Sequence, residues 1–384
     1  MGNLFISKIH IKKCRHLENM DIVLSDSEKK HLILTGKNGS GKTSLVEQLY
    51  RCLDKAALNK EPLSMSHSGL TAFLGSQNIV ELPDYTPFKS LNENRTSNFI
   101  THILLCLPAY RKLDMKIPKA IERVNLALKP SSKDFLTYMV FLRHQMTDSQ
   151  FEGDTSQTEK LRNWFDNFQN VLRKAYNEPD LKISYERQHL SFVVEVPGRE
   201  PFKLTEMADG YSSLLYIMAE LMMRMEEKAS MTYDMPGIVL IDEIETHLHV
   251  ELQKLVLPFL TEMFPLIQFI VTTHSPFVIS STPNAVVYDL ERQIRVEDMS
   301  AYSYEGVIEH FYDMNQYSVE ARRQFEIYSS LVDKKSRTYD EGQQFIKALS
   351  YLQSVPDGAA QELVFTFRDM EAERRGIYTN GSIE

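Results

Sequence analysis

The chain has few cysteines. Cys14, Cys52 and Cys106 are the three among 384 residues. They are odd in number and scattered, which excludes a disulfide framework and fits a reducing compartment. No cysteine or histidine cluster has zinc spacing. Long apolar runs are also missing. No uninterrupted stretch approaches the roughly 20 residues that cross a bilayer. Charged residues from Lys8 onward leave no room for the apolar core of a secretory signal. An excess of basic charge is absent: the net charge is −9, against a surface coated for nucleic acid or anionic membrane. That balance leaves room for a local basic patch. No internal repeat appears, and no heptad series is sustained, so no long coiled coil is expected. With 43% hydrophobic and 25% charged residues, the chain reads as soluble, cytoplasmic and globular, with no membrane contact and one large domain or two.

Against these absences stands Gly36-Lys37-Asn38-Gly39-Ser40-Gly41-Lys42-Thr43, which reads Gly-x-x-x-x-Gly-Lys-Thr. The apolar run His31-Leu32-Ile33-Leu34 precedes it, and Leu45, Val46, Leu49, Tyr50 and Leu53 follow at helical spacing. Strand, glycine loop and helix are the context in which this pattern is a phosphate loop, the Walker A element. The glycines allow backbone N–H groups to converge on phosphate oxygens, and the helix start at Thr43-Ser44 adds a favourable dipole. Lys42 is placed to reach the β- and γ-phosphates, and the Thr43 hydroxyl to ligate Mg²⁺. A nucleoside triphosphate, ATP, is the expected ligand.

The rest of the chain is read by periodicity. Leu4–Ile11 and Met20–Leu24 alternate as two half-buried strands. Residues 65–93 are rich in Gly, Ser, Asn and Pro and are expected to be irregular. Thr101–Leu107 is a strand. Residues 116–176 are expected to be mostly helical, with Trp164, Phe165, Phe168, Val171 and Leu172 on one apolar face. Leu181–Tyr185 and Leu190–Val196 suggest a hairpin, and Ser212–Met225 a buried helix. Gly237–Ile241 and Ile267–Thr272 are strands flanking a helix over Leu248–Met263. After a short strand at Ala285–Tyr288, helices are expected to the end, one opened by a capping box at Thr338–Glu341.

The strand Gly237–Ile241 ends in Asp242-Glu243, a Walker B element. Asp242 would hold Mg²⁺, and Glu243 would orient or deprotonate the attacking water. The later strand ends in Thr272-Thr273-His274-Ser275-Pro276, where His274 can contact a γ-phosphate. Between them lies Glu245-Thr246-His247-Leu248-His249. His247 and His249 admit a metal-ligand reading, but no third ligand is evident in the sequence.

This order of motifs resembles the ABC-type ATPases of the RecF/SMC/OLD class. Within it, the resemblance is to compact stand-alone ATPases of bacterial anti-phage systems such as Septu, PARIS and the retrons. The resemblance covers the N-terminal strands and residues 201–280. It implies an α/β fold of the ABC-type P-loop NTPase kind, with a mixed sheet and a β-rich N-terminal part. The expected divisions are 1–111 with Walker A, 112–180 as a helical insertion, 181–302 completing the ATPase domain, and 303–384 as a helical C-terminal segment. The family assigns Lys42, Glu243 and His274 to turnover, Gly36–Ser44 to the nucleotide, and Thr43 and Asp242 to Mg²⁺. It places Glu245–His249 at the D-loop between protomers. Met207-Ala208-Asp209-Gly210-Tyr211 falls at the family signature, so Gly210 is expected to contact nucleotide in trans, with Ser212 or Ser213 as substitutes for the missing signature serine. Ala208 departs from the pattern and suggests slow hydrolysis. Gln77 and Tyr110-Arg111 compete for the Q-loop.

Composite sites of this class imply a homodimer or a higher homo-oligomer. About 110 residues follow His274, with no Asp-x-Asp and no HNH-like histidine cluster. The resemblance implies an effector supplied in trans, nuclease or toxin, for a sensor and scaffold in anti-phage defence. The alternative is a RecF-like DNA-maintenance ATPase that clamps DNA. Arg111, Lys112, Lys116, Lys119, Arg123, Lys129 and Lys133 are either a solvated face or a patch for DNA or an acidic partner.

Overall fold

A computed structural model describes residues 5–58, 70–74, 79–81, 103–126, 131–228, 234–304, 306–308, 318–334, 336–356 and 361–374. The chain divides into two compact units, Met1–Val307 and Ile308–Glu384.

The larger unit is built on a six-stranded sheet. Its strands are β3 (His31–Thr35), β6 (Ile103–Leu107), β10 (Gly237–Ile241), β11 (Ile267–Thr272), β12 (Ala285–Asp289) and β13 (Ile294–Glu297). The spatial order is β13-β12-β3-β11-β10-β6. All neighbours are parallel except the β12–β13 pair. Every residue of β3, β10, β11 and β12 is buried. That is why they read as unbroken apolar runs: parallel strands are covered on both faces. Gly237 is required by close approach, since a Cβ there would lie 2.7 Å from Ile103 Cβ on the adjoining strand.

A second sheet, of order β2-β1-β4-β5, pairs β1 (Ile6–Cys14) antiparallel with β2 (Leu17–Val23) and parallel with β4 (Leu70–Leu74); β4 pairs in turn with β5 (Ile79–Glu81). β4 and β5 fall in the stretch expected to be irregular. Helix α1 (Lys42–Leu58) packs against both sheets, and Leu45, Val46, Leu49 and Leu53 join Ile9, Ile11, Ile22, Leu34 and Leu240 in one core. Gln268 stitches the sheets together. Its amide accepts from the Ile6 N–H at 2.7 Å and donates to the Ile6 and Lys30 carbonyls at 2.9 and 2.7 Å. Such saturation lets a fully buried amide persist in an apolar core.

Residues 112–125 run without helix, contrary to expectation. Helix begins at α2 (Phe135–Glu152), turns at Gly153 in the left-handed region, and returns as α3 (Thr155–Tyr176). Phe135, Tyr138, Trp164 and Phe168 cluster between the two helices, and Phe165 stacks on Phe192 of the antiparallel sheet β7 (Lys182–Glu186), β8 (Ser191–Glu195), β9 (Phe202–Lys203). The chain then forms α4 (Asp209–Lys228), α5 (Val250–Met263) and the short α6 (Pro276–Ile279). β13, not anticipated, is an edge strand exposed along most of its length, so it has no apolar face to mark it. No disulfide joins Cys14, Cys52 and Cys106.

The smaller unit contains α7 (Val319–Val332), α8 (Tyr339–Ser354) and α9 (Gln361–Arg374). Tyr328, Leu331, Phe345, Ala348, Leu352, Leu363 and Phe367 form its core. The expected capping box opens α8: the Glu341 N–H donates to Thr338 Oγ1 at 3.3 Å, and the Thr338 N–H to Glu341 Oε2 at 2.9 Å. The Tyr328 hydroxyl donates to Glu371 Oε1 at 2.5 Å.

His31, at the start of β3, is 3% exposed, and its Nδ1 accepts from the Phe269 N–H at 3.0 Å. Burial, with Lys29 nearby, pushes its pKa down to about 3. The folded imidazole therefore stays neutral while the unfolded one takes a proton near pH 6.5. This contribution to stability is fully present above pH 6.5 and is lost as the pH falls towards 3. Between pH 6.5 and 4 it amounts to about 3 kcal/mol. Denaturant titrations over this range should give a shallower pH slope for His31→Gln than for the parent; equal slopes would contradict the assignment.

Candidate functional site

The parallel strands β3, β10, β11 and β6 bring their C-terminal ends to one edge of the sheet. In such sheets the crevice at the carboxyl ends is where ligands bind. Gly36, Gly39 and Gly41 have φ values of +132°, +86° and +99°. At Gly36 a Cβ would also lie 2.9 Å from Ser40 Oγ. These left-handed positions turn the chain tightly between β3 and α1. The turn of the first hairpin rests on this loop, since a Cβ on Gly41 would fall 3.1 Å from Leu17 Cδ1 and 3.3 Å from His16 Cε1.

Lys42 is 6% exposed, and its ammonium donates to the Gly36 and Lys37 carbonyls at 2.8 and 3.1 Å. Burial lowers its pKa, opposed by the nearby carboxylates of Glu243, Asp242, Glu245 and Asp289. Lys37 is exposed and pairs with Glu291 at 3.1 Å. Asn38 and Gly39 lie exposed at the loop tip, and Ser44 is half-buried in the first turn of α1. Ser40 Oγ is buried with no protein partner. An orphaned hydroxyl beside three left-handed glycines and a helix N-terminus fits a phosphate group.

Asp242 lies at the centre of the site. Its Oδ2 accepts from the Thr43 hydroxyl at 2.9 Å and its Oδ1 from the Thr272 hydroxyl at 2.6 Å. The sequence placed Thr43 and Asp242 on one metal, and the structure brings them into direct contact. Together they supply a hydroxyl and a carboxylate, the oxygen donors that Mg²⁺ takes. Among the described residues no group of three His, Cys, Asp or Glu is placed to hold a metal ion.

Glu243 follows with φ +44°. Its N–H donates to Thr272 Oγ1 at 2.7 Å, and its Oε2 accepts from the Thr246 hydroxyl at 3.2 Å. His274 leaves the end of β11 half-buried, and its N–H donates to Glu245 Oε1 at 2.6 Å. Burial and then Lys42 lower the His274 pKa, partly offset by Glu245, Glu243 and Asp242. Glu245 Oε2 is buried without a partner. Glu245, expected in the D-loop, holds the His274 backbone within this chain, and Thr272, for which the sequence carries no signal of its own, holds that of Glu243.

Gly210 and Ser212 lie in the first turn of α4. Gly210 is buried against its own chain, where a Cβ would lie 3.1 Å from the His247 carbonyl oxygen and 3.3 Å from Leu252. Ala208 is exposed and Ser212 half-buried. Ser213 is 1% exposed and donates to the Thr246 carbonyl at 3.4 Å. Of the two Q-loop candidates, Gln77 lies outside the described residues. Arg111 is 3% exposed, with its guanidinium turned onto the backbone after Asp242, so it is not part of a surface basic patch. Lys112, Lys119, Arg123 and Lys133 are exposed, and Lys116 pairs with Asp134 at 3.1 Å. Lys129 lies outside the described residues.

A glycine loop between β3 and α1, with an Asp-Glu strand end and a histidine strand end on neighbouring parallel strands, fits the ABC-type P-loop NTPase fold. A family profile described as "AAA domain, putative AbiEii toxin, Type IV TA system" matches residues 124–280. The chain is 25% identical over 290 residues to the Septu protein PtuA of Bacillus mycoides (strain KBAB4), covering 71% of this chain and 38% of that protein. It is 34% identical over 99 residues to the Retron Ec83 probable ATPase of Escherichia coli, covering 25% of this chain and 18% of that one. It thus spans well under half the length of these curated relatives. Among solved structures, the SMC head domain from Thermotoga maritima superposes with a TM-score of 0.34 at 15% identity, covering 71% of this chain and 89% of that chain. Among the described residues no helix is long and apolar enough to cross a membrane.

Thr272→Val keeps the side-chain shape but removes both hydrogen bonds of that hydroxyl. It should destabilise the fold by about 1–3 kcal/mol, read from denaturant unfolding, whereas Thr272→Ser should retain most of the parent stability. Equal stability of Thr272→Val and the parent would contradict the bonding described.

Proposed function

We propose that this chain is a slowly hydrolysing ATPase whose nucleotide site is completed by a second copy, and that it acts as sensor and scaffold for a separate effector in anti-phage defence. The observation that carries the nucleotide reading is Asp242, held between the Thr43 and Thr272 hydroxyls at the mouth of the glycine loop. Loop N–H groups and Lys42 hold the triphosphate, with Thr43 and Asp242 as the ligands offered to Mg²⁺. When bound, Mg²⁺ neutralises charge on the phosphate oxygens. Glu243 accepts the proton of the attacking water. With its pKa lowered, His274 is neutral at pH 7 and can donate one hydrogen bond to a γ-phosphate oxygen while adding no further positive charge beside Lys42.

Gly210 and Ser212, at the start of α4, face the nucleotide of the second copy in this reading, as signature segments of the class do. Alanine at 208 offers no hydroxyl to a γ-phosphate, which favours slow turnover. Similarity to Septu PtuA and to a retron ATPase supports the defence role.

Lys42→Ala should weaken Mg-ATP binding by about tenfold or more, read by equilibrium dialysis; undiminished binding would remove the site assignment. Glu243→Gln should retain ATP binding, lose about 10²–10⁴-fold in turnover and accumulate as a dimer with Mg-ATP on size-exclusion chromatography. Parent-level hydrolysis by this variant would remove Glu243 as the base. Salt-sensitive, ATP-dependent DNA binding by the isolated chain would favour a DNA clamp instead.

A further inference from the structure

Arg111 sits four residues beyond the end of β6, at 3% exposure. A guanidinium carries five N–H donors in a fixed planar fork, and here all five are used. Nη1 donates to the Pro108 carbonyl at 2.8 Å and the Asp242 carbonyl at 2.7 Å. Nη2 donates to the carbonyls of Glu243 at 2.9 Å and Ile244 at 3.1 Å. Nε donates to the Ser213 hydroxyl at 3.4 Å. Four of the five acceptors are backbone carbonyls and none is a carboxylate. Burial lowers the pKa of Arg111 to about 10, so it remains a cation at neutral pH.

Three of those carbonyls belong to consecutive residues, where the chain leaves β10. The middle one is Glu243, a non-glycine residue in the left-handed region, a conformation that persists only where its surroundings hold it. Thr272 takes the Glu243 N–H from one side, and Arg111 takes the carbonyls of Asp242, Glu243 and Ile244 from the other. Lysine, with three donors radiating from one atom, cannot span that row. The fifth bond reaches α4, the helix that begins at Asp209-Gly210, and Ser213 passes its own hydrogen on to the Thr246 carbonyl. One guanidinium thus joins the signature helix to the backbone that aims Glu243.

We propose that Arg111 is a positioning residue for ATP turnover: it fixes the left-handed backbone at Glu243 and couples that setting to α4, so that seating of α4 against a second copy is registered at the catalytic carboxylate. This rests on the reading of Glu243 as the base. A purely structural arginine would lower stability and leave the kinetic constants of the folded fraction unchanged.

The test compares Arg111→Ala, Arg111→Lys and Ser213→Ala with the parent chain for Mg-ATP affinity, kcat, KM and melting temperature. Arg111→Ala should keep ATP affinity within about threefold while kcat falls about tenfold to a hundredfold, the loss expected for hydrogen bonds to a charged group. Millimolar guanidinium chloride should restore part of that kcat, and Arg111→Lys should not reach the parent rate. Ser213→Ala, a mild change inside a helix, should lower kcat with KM unchanged, and it carries the test if Arg111→Ala does not fold. Parent-level kcat in Arg111→Lys and Ser213→Ala would overturn the proposal, as would a loss in Arg111→Ala matched by lost ATP affinity and untouched by guanidinium. A parent chain that binds ATP but hydrolyses none, no faster than Glu243→Gln, would instead overturn the reading of Glu243 and this inference with it.

Discussion

A buried aspartate has to find hydrogen-bond donors, and the way Asp242 does so sets the arrangement around it. It is 7% exposed, and each of its oxygens takes a hydroxyl hydrogen from a different segment: Thr43 at the start of α1 and Thr272 at the end of β11. An unsatisfied carboxylate in that position would be costly. The sheet order makes both contacts possible. β11 lies between β3, which feeds the phosphate loop, and β10, which ends at Asp242. The register pairs Ile241 with Val271 and Thr272 with Leu34. A one-residue slip of β11 would turn the Thr272 hydroxyl to the other face of the sheet.

The outer parts of the larger unit are tied to the same edge. Tyr176, at the end of α3, stacks on Tyr211 at 3.7 Å between ring centroids and 8° between planes, directly after Gly210. Glu220 of α4 accepts the buried Ser132 N–H at 2.9 Å, just before α2 begins. Both ends of the α2–α3 pair are thus fixed to α4. From α4, contacts run on through Ser213 and Arg111 to the Glu243 carbonyl. The smaller unit has a separate core of three helices around Tyr328, Phe345 and Phe367.

Much of this was legible in the sequence because its signals are local. Gly36–Thr43 carries a spacing that few other structures require. β3, β10 and β11 are buried on both faces, so their sequences are unbroken apolar runs. Other elements carry no such local signal. β4 is held by pairing with β1, some sixty residues earlier, in a stretch where Gly and Ser suggest irregular chain. β13 lies at an exposed edge. Residues 112–125 carry enough charge and apolar spacing to resemble a helix but form none. Arg111 begins a run of cations and reads as part of a surface face. Its role depends on three carbonyls more than 130 positions away, and only tertiary structure reveals them. Thr272 is likewise an ordinary strand-end residue until Asp242 is set beside it.

The central claim is that the edge formed by β3, β11, β10 and β6 is a triphosphate site closed by a second copy. A crystal structure of the Glu243→Gln chain grown with Mg-ATP measures this most directly. The account predicts the β- and γ-phosphates on the Gly36–Thr43 loop within hydrogen-bond distance of Lys42, with Gly210 of a second copy against the γ-phosphate. Nucleotide bound elsewhere, or bound on this loop in a solvent-open monomer, would contradict it.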